Sequence, residues 1–268
     1  MPESILRVED IEHFHWTQAE ADAPVTFSSN GCMLSLAAAV ELQAIELYSG
    51  RADNTFRSTI RVANCATRTL LRASRWPARK SATKLRRGDT VVIVLPSDED
   101  GVWWSARLRE LISDLKDDAF PVNLARALTG AVAEMVDNIW LHSDAQDPGL
   151  VAYQVRRRKF AFSVLDTGIG VLASLRKNPR YQWLNSSMDG IKYAIQPGVS
   201  RFDGGGMGFP SLLHALADLW GNARLRTGEA SLHIDRTQDQ RKIDFRYLPH
   251  LPGLHVSARC ALDPPKII

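Results

Sequence analysis

Phe160-Ala-Phe-Ser-Val-Leu-Asp-Thr-Gly-Ile-Gly-Val171 decides how the chain is read: an apolar strand ends in an acid and two glycines spaced by one. An aspartate at a strand end can accept a hydrogen bond from an exocyclic amine, a contact suited to adenine. Gly168 and Gly170 let the backbone turn tightly and approach a ligand closely. The same D-x-G run also closes ordinary hairpins, so its chemistry depends on what the flanking segments bring to it.

Upstream, Leu128-Thr-Gly-Ala-Val-Ala-Glu-Met-Val-Asp-Asn-Ile-Trp-Leu-His142 has helical periodicity, with Glu134, Asn138 and His142 at i, i+4 and i+8 on one stripe. Val132, Val136 and Ile139 supply the apolar side. A carboxylate one turn from a carboxamide can orient a nucleophile while the amide oxygen meets a hard cation such as Mg²⁺. Downstream, Arg201-Phe-Asp-Gly-Gly-Gly-Met-Gly208 places four glycines in five residues before an apolar helix pattern, with Pro210 in its first turn. Free N–H groups and the positive end of a helix dipole then face a phosphate.

In order and spacing these segments resemble the nucleotide-binding domain of the superfamily that unites gyrase, the large heat-shock chaperone, histidine kinases and mismatch-repair ATPases (GHKL). Glu134-Met-Val-Asp-Asn138 resembles its N box, Asp166-Thr-Gly-Ile-Gly170 its G1 box and Gly204-Gly205-Gly206-Met207-Gly208 its G2 box. There are 28 positions from Asn138 to Asp166 and 38 from Asp166 to Gly204. The resemblance implies a Bergerat-type ATP site, with Asn138 on Mg²⁺, Asp166 on the adenine amine, Gly168 and Gly170 near the base, and residues 204–208 around the phosphates. Residues 171–203 would form a lid whose Arg176, Lys177, Arg180, Lys192 and Arg201 could reach phosphate. Thr227 stands where the family often has Ser or Thr near adenine, and His142 either contacts phosphate or packs. Glu134 is the expected general base.

The spacing of Glu134, Asn138 and His142 is similar to that of the single-domain serine kinases that act as anti-sigma factors. Glu12-His-Phe-His-Trp-Thr17 lacks a phosphoacceptor pattern, so His13 and His15 read as structural or surface residues. Three outputs stay open: a kinase or ATP-gated switch acting on a protein partner, a slow ATPase that drives dimerisation or clamp closure, and an inert ATP-binding scaffold. The resemblance is compatible with a homodimer.

The expected fold is α+β: a two-layer sandwich with a mixed sheet covered on one face by helices. The Asp117-Asp-Ala-Phe-Pro121 stretch suggests a boundary, giving residues 119–268 as the ATPase domain and residues 1–118 as a mixed α/β input or docking region. Expected elements include helices over 34–48, 102–115, 123–142 and 208–219. Strands are expected near 25–27 and over 88–96, 150–156, 159–165, 223–226, 231–235 and 254–262.

Charge is uneven. From Arg57 to Arg87 there are ten basic residues and no acid, leaving 23 basic against 30 acidic elsewhere, although the whole chain is only +3. Arg57, Arg61, Arg68, Arg72 and Arg75 share a helical stripe, read as a dock for an acidic partner or nucleic acid, or as a solvated face. Three cysteines without a C-x-x-C pair indicate neither a disulfide framework nor a thiolate zinc site. The lack of a long apolar run or a basic-then-apolar start points to a soluble cytoplasmic protein that uses no membrane. With 45% hydrophobic residues in 268, the chain can bury a sizeable core, which excludes a disordered tail.

Overall fold

A hairpin organises the sheet. Leu150–Arg156 (β5) and Lys159–Leu165 (β6) pair antiparallel from Leu150↔Leu165 to Arg156↔Lys159. Arg157 and Arg158, both at positive φ (53° and 59°), make the two-residue turn. The computed structural model describes residues 5–6, 33–48, 82–96, 100–145, 149–202, 208–217, 219–236 and 241–264. Among these, six α-helices accompany a six-stranded sheet, so the chain is α+β as expected.

Ile5–Leu6 (β1) and Met33–Leu34 (β2) form a short parallel pair, and Leu36–Tyr48 is α1. Thr83–Arg87 (β3) turns through Gly88, at φ 61°, into Thr90–Val94 (β4). Gly101–Asp117 (α2) and Val122–His142 (α3) follow. After β5 and β6 come Gly170–Arg176 (α4), a 3₁₀ turn at Pro179–Tyr181, Ser187–Ala194 (α5) and Gly208–Ala215 (α6). Trp220–Arg236 (β7) and Lys242–Ala261 (β8) close the sheet. Its order is β3-β4-β5-β6-β8-β7, with every neighbouring pair antiparallel.

Alternation along the strands builds two cores. Val91, Ile93, Val151, Tyr153, Phe162, Val164 and Val256 face α2 and α3, meeting Leu111, Leu115, Leu128, Met135 and Val136. Val92, Val94, Leu150, Ala152 and Leu165 face the other way and bury α1 through Leu36, Val40, Leu42 and Ile45. A strand apolar at every position, as β4 is, needs both faces covered.

Several expectations are corrected here. The sheet is antiparallel throughout rather than mixed, and α1 lies on the face opposite α3, so helices cover both faces. The boundary at 118/119 falls inside one sheet: β4 pairs with β5, and Trp104, Leu111 and Leu115 of α2 share the core of α3. Three expected late strands are two long ones, because Gly228, at φ 55°, sits at a bulge rather than a turn. The described part of the expected lid, residues 171–202, holds most of α4, a 3₁₀ turn and α5. The strand near 25–27, the arginine stripe at 57–75, and His13 and His15 lie outside the described residues. Of the basic segment, β3 is described: Lys84 pairs with Glu110, and Arg86 with Asp114 at 2.9 Å, both acids on α2. No helix among the described residues is long and apolar enough to cross a membrane.

Candidate active site

The site is built where α3 passes the ends of β6 and β8. Val132, Val136 and Ile139 anchor α3 to the sheet, which turns Glu134, Asn138 and His142 toward a cavity of about 260 Å³. Asp166, Gly170, Gly208 and Leu254 line the same cavity. Segments separated by tens of residues in sequence thus share one space.

Asp166 forms its floor. It is only 2% exposed, and Oδ1 accepts a hydrogen bond from Gly168 N at 2.7 Å. Burial pushes its carboxyl up to about 7, against the opposing pull of backbone N–H groups at Gly168 and Leu254. Its own backbone N–H donates to Leu254 O at 3.0 Å, which fixes β6 against β8 where the strand ends.

The glycines are there for room. A side chain at Gly168 would strike the carbonyl of Ser143, the residue that ends α3. Gly170 has φ 73°, and a Cβ there would stand 2.7 Å from Thr227 Oγ1. These contacts draw the loop after β6 against both α3 and β7.

Thr227 is buried behind this loop and outside the cavity lining. Its hydroxyl donates to Gly253 O at 2.7 Å and accepts from Val171 N at 3.0 Å. It therefore ties β7 to the start of α4 rather than presenting its oxygen to the cavity.

Asn138 and Glu134 face Gly208, the first residue of α6. Asn138 Nδ2 is buried and has no hydrogen-bond partner among the described residues, in a wall that Asp137 also lines. An orphaned buried amide costs about 1–3 kcal/mol, a cost that a ligand in the cavity can offset. Gly204, Gly205, Gly206 and Met207 lie outside the described residues.

His142 is half-buried beside Phe202, with ring centroids 5.2 Å apart. Burial, with the Arg201 guanidinium adding to it, lowers the imidazole to about 4, so the ring is neutral near pH 7. Of the five lid cations, Arg201 alone lines this cavity. Its Nη1 meets Asp144 Oδ1 at 3.0 Å, and its guanidinium lies 4.6 Å from the Phe202 ring centroid. Lys177 binds the other oxygen of Asp144, and Lys192 sits over Phe245. Arg176 and Arg180 are exposed.

Sequence reading missed Asp144, Ser200 and Phe202. Asp144 follows α3 by two residues, and its role emerges only when 177 and 201 fold back to it. Among the described residues no group of three or more His, Cys, Asp or Glu side chains could hold a metal by itself. Comparison of the chain with known proteins finds no family model that matches it and no curated protein similar to it.

Proposed function

We propose that the chain is an ATP-binding regulatory protein with a Bergerat-type site, acting as a Mg-ATP-dependent protein kinase or ATP-gated switch on a partner protein. The observation that carries this reading is the convergence on one cavity of Asp166, Gly170, Asn138, Glu134 and Gly208. The chemistry of each wall suits one part of the nucleotide. A buried carboxylate accepts from the adenine amine, apolar Leu254 and Val171 flank the base, and the start of α6 offers backbone N–H groups to phosphate.

The orphaned Nδ2 of Asn138 is a donor and suits a phosphate oxygen, while with no protein cluster among the described residues able to hold a metal by itself a magnesium ion would come with the nucleotide. Asn138 would hold that ion through Oδ1, with phosphate oxygens and water completing its shell, and the ion would neutralise phosphate charge. Glu134, exposed on the same helix face, can accept a proton from a protein hydroxyl or from water. Arg201 can leave Asp144 for a phosphate, both being oxyanions.

The output is separated by incubating the full chain with γ-labelled ATP, with and without protein partners. Label on a partner supports the kinase, while released phosphate supports the slow ATPase. Bound nucleotide with neither supports the scaffold, and absence of bound nucleotide contradicts the proposal.

A further inference from the structure

Behind the cavity floor, on the opposite face of the sheet, lies a buried polar cluster that nucleotide chemistry leaves unused. Its centre is Glu41, in the middle of α1 and fully buried among apolar neighbours. Arg224 and Arg226 of β7 both bind its carboxylate, Arg224 Nη2 at 3.0 Å from Oε1. His255 Nδ1 of β8 donates to Oε2 at 3.1 Å, so Ser163 of β6 donates its hydroxyl to Nε2 at 2.6 Å. Burial alone would raise Glu41, but the two guanidiniums and the histidine hold it well below the usual carboxylate range. Ser163, His255 and Glu41 have the order of a nucleophile–base–acid relay. All three are sealed under α1, and the front cavity does not reach Ser163.

Two partners of Glu41 stand next to residues that shape or brace the floor. Arg226 precedes Thr227, whose hydroxyl holds Val171 and Gly253. His255 follows Leu254, which lines the cavity and accepts from Asp166 N. His255 also pairs with Leu165, the residue before Asp166, and with Arg226 across β7. One carboxylate thus ties α1 to β7 and β8 directly, and through His255 to Ser163 of β6, behind the cavity floor.

We infer that Glu41 is a positioning residue for the nucleotide site, and that seating of α1 and occupation of the front cavity favour each other. This rests on the ATP reading. A segment that draws α1 off the sheet would loosen the floor and release nucleotide, and nucleotide would hold α1 down by the same factor, since such coupling is reciprocal. The region upstream of the ATP-binding elements then sets affinity through α1.

The test uses the full chain with ATP and Mg²⁺ as the probe. Backbone hydrogen exchange over residues 36–48 is compared with and without saturating ATP, and ATP affinity is measured for wild type, Glu41→Gln and Ser163→Ala. Glu41→Gln leaves two guanidiniums without a counter-charge and can unfold the chain. Ser163→Ala keeps the ion cluster and removes only the histidine's second bond. Expected are slower exchange in 36–48 on ATP binding and a loss of affinity of about fivefold or more in whichever variant melts cooperatively. If ATP binds and protects 166–175 while exchange in 36–48 is unchanged, the inference is overturned and the ATP reading stands. If the folded wild type binds no ATP, both fall.

Discussion

Gly208 stands against Asn138: a Cβ built on the glycine would lie 3.0 Å from Asn138 Nδ2 and 3.6 Å from Glu134 Oε2. The start of α6 and the polar stripe of α3 thus close on each other with only a hydrogen's clearance. Gly208→Ala should push Asn138 aside, reducing ATP affinity by about tenfold, since a misplaced polar contact costs about 1.4 kcal/mol or more. Titration of the folded variant, with thermal melting as the control, checks this.

On the proposed reading, Asp166 should make nucleotide binding depend on pH. Its carboxyl is pushed up to about 7, and an amine donor favours the ionised form. Affinity for ATP should therefore rise about tenfold from pH 6 to pH 8, with proton release on binding near pH 7. Asp166→Asn should lose binding and with it this pH dependence, as competition titrations at both pH values would show.

Stability runs the other way. Because the folded value lies above the ordinary 3.8, the folded protein holds more protons than the unfolded chain between pH 3.8 and about 7. Asp166 therefore weakens the fold as pH rises through that window, by an amount on the order of 4 kcal/mol. Denaturant unfolding of Asp166→Asn should show a shallower decline between pH 5 and 8 and higher stability than wild type at pH 8.

As the general base of the proposed reaction, Glu134 would serve turnover rather than binding. Glu134→Ala should leave ATP affinity within about threefold and slow phosphate transfer or release about 10²–10⁴-fold, the usual worth of a general base. Loss of affinity instead would make Glu134 a binding residue.

The unit that folds begins before residue 119. A fragment of residues 119–268 lacks β3, β4 and α2, and it exposes Val151, Tyr153 and Leu128, which meet Val91, Ile93 and Leu111 in the shared core. It should be insoluble or molten by near-UV circular dichroism, whereas in the full chain Leu111→Ala should lower stability by about 2–5 kcal/mol.

What the sequence could reveal follows the range of the forces involved. Leu150–Leu165 was legible as a hairpin because apolar runs flank a polar turn, and α3 was legible from its 3.6-residue period. β3 was hidden, since Lys84, Arg86 and Arg87 read as one more piece of a basic segment until Glu110 and Asp114 of α2 come beside them. The break expected between the strands at 223–226 and 231–235 is a bulge at Gly228, which a sequence cannot distinguish from a strand end because both accept a glycine at positive φ. Glu41 gave one local hint, a lone acid between Val40 and Leu42, but its partners Arg224 and His255 lie 183 and 214 positions away. In the site, the spacing of Asn138, Asp166 and Gly208 was legible. The inward turn of Thr227's hydroxyl was not, because it depends on Gly253 and Val171.

Calorimetric titration of the folded full chain with ATP in the presence of Mg²⁺ bears most directly on the cavity's identity. One saturable site per chain is predicted, abolished by Asp166→Asn and weakened when Mg²⁺ is withheld. Absence of binding heat at several temperatures, with the chain melting cooperatively, would contradict it.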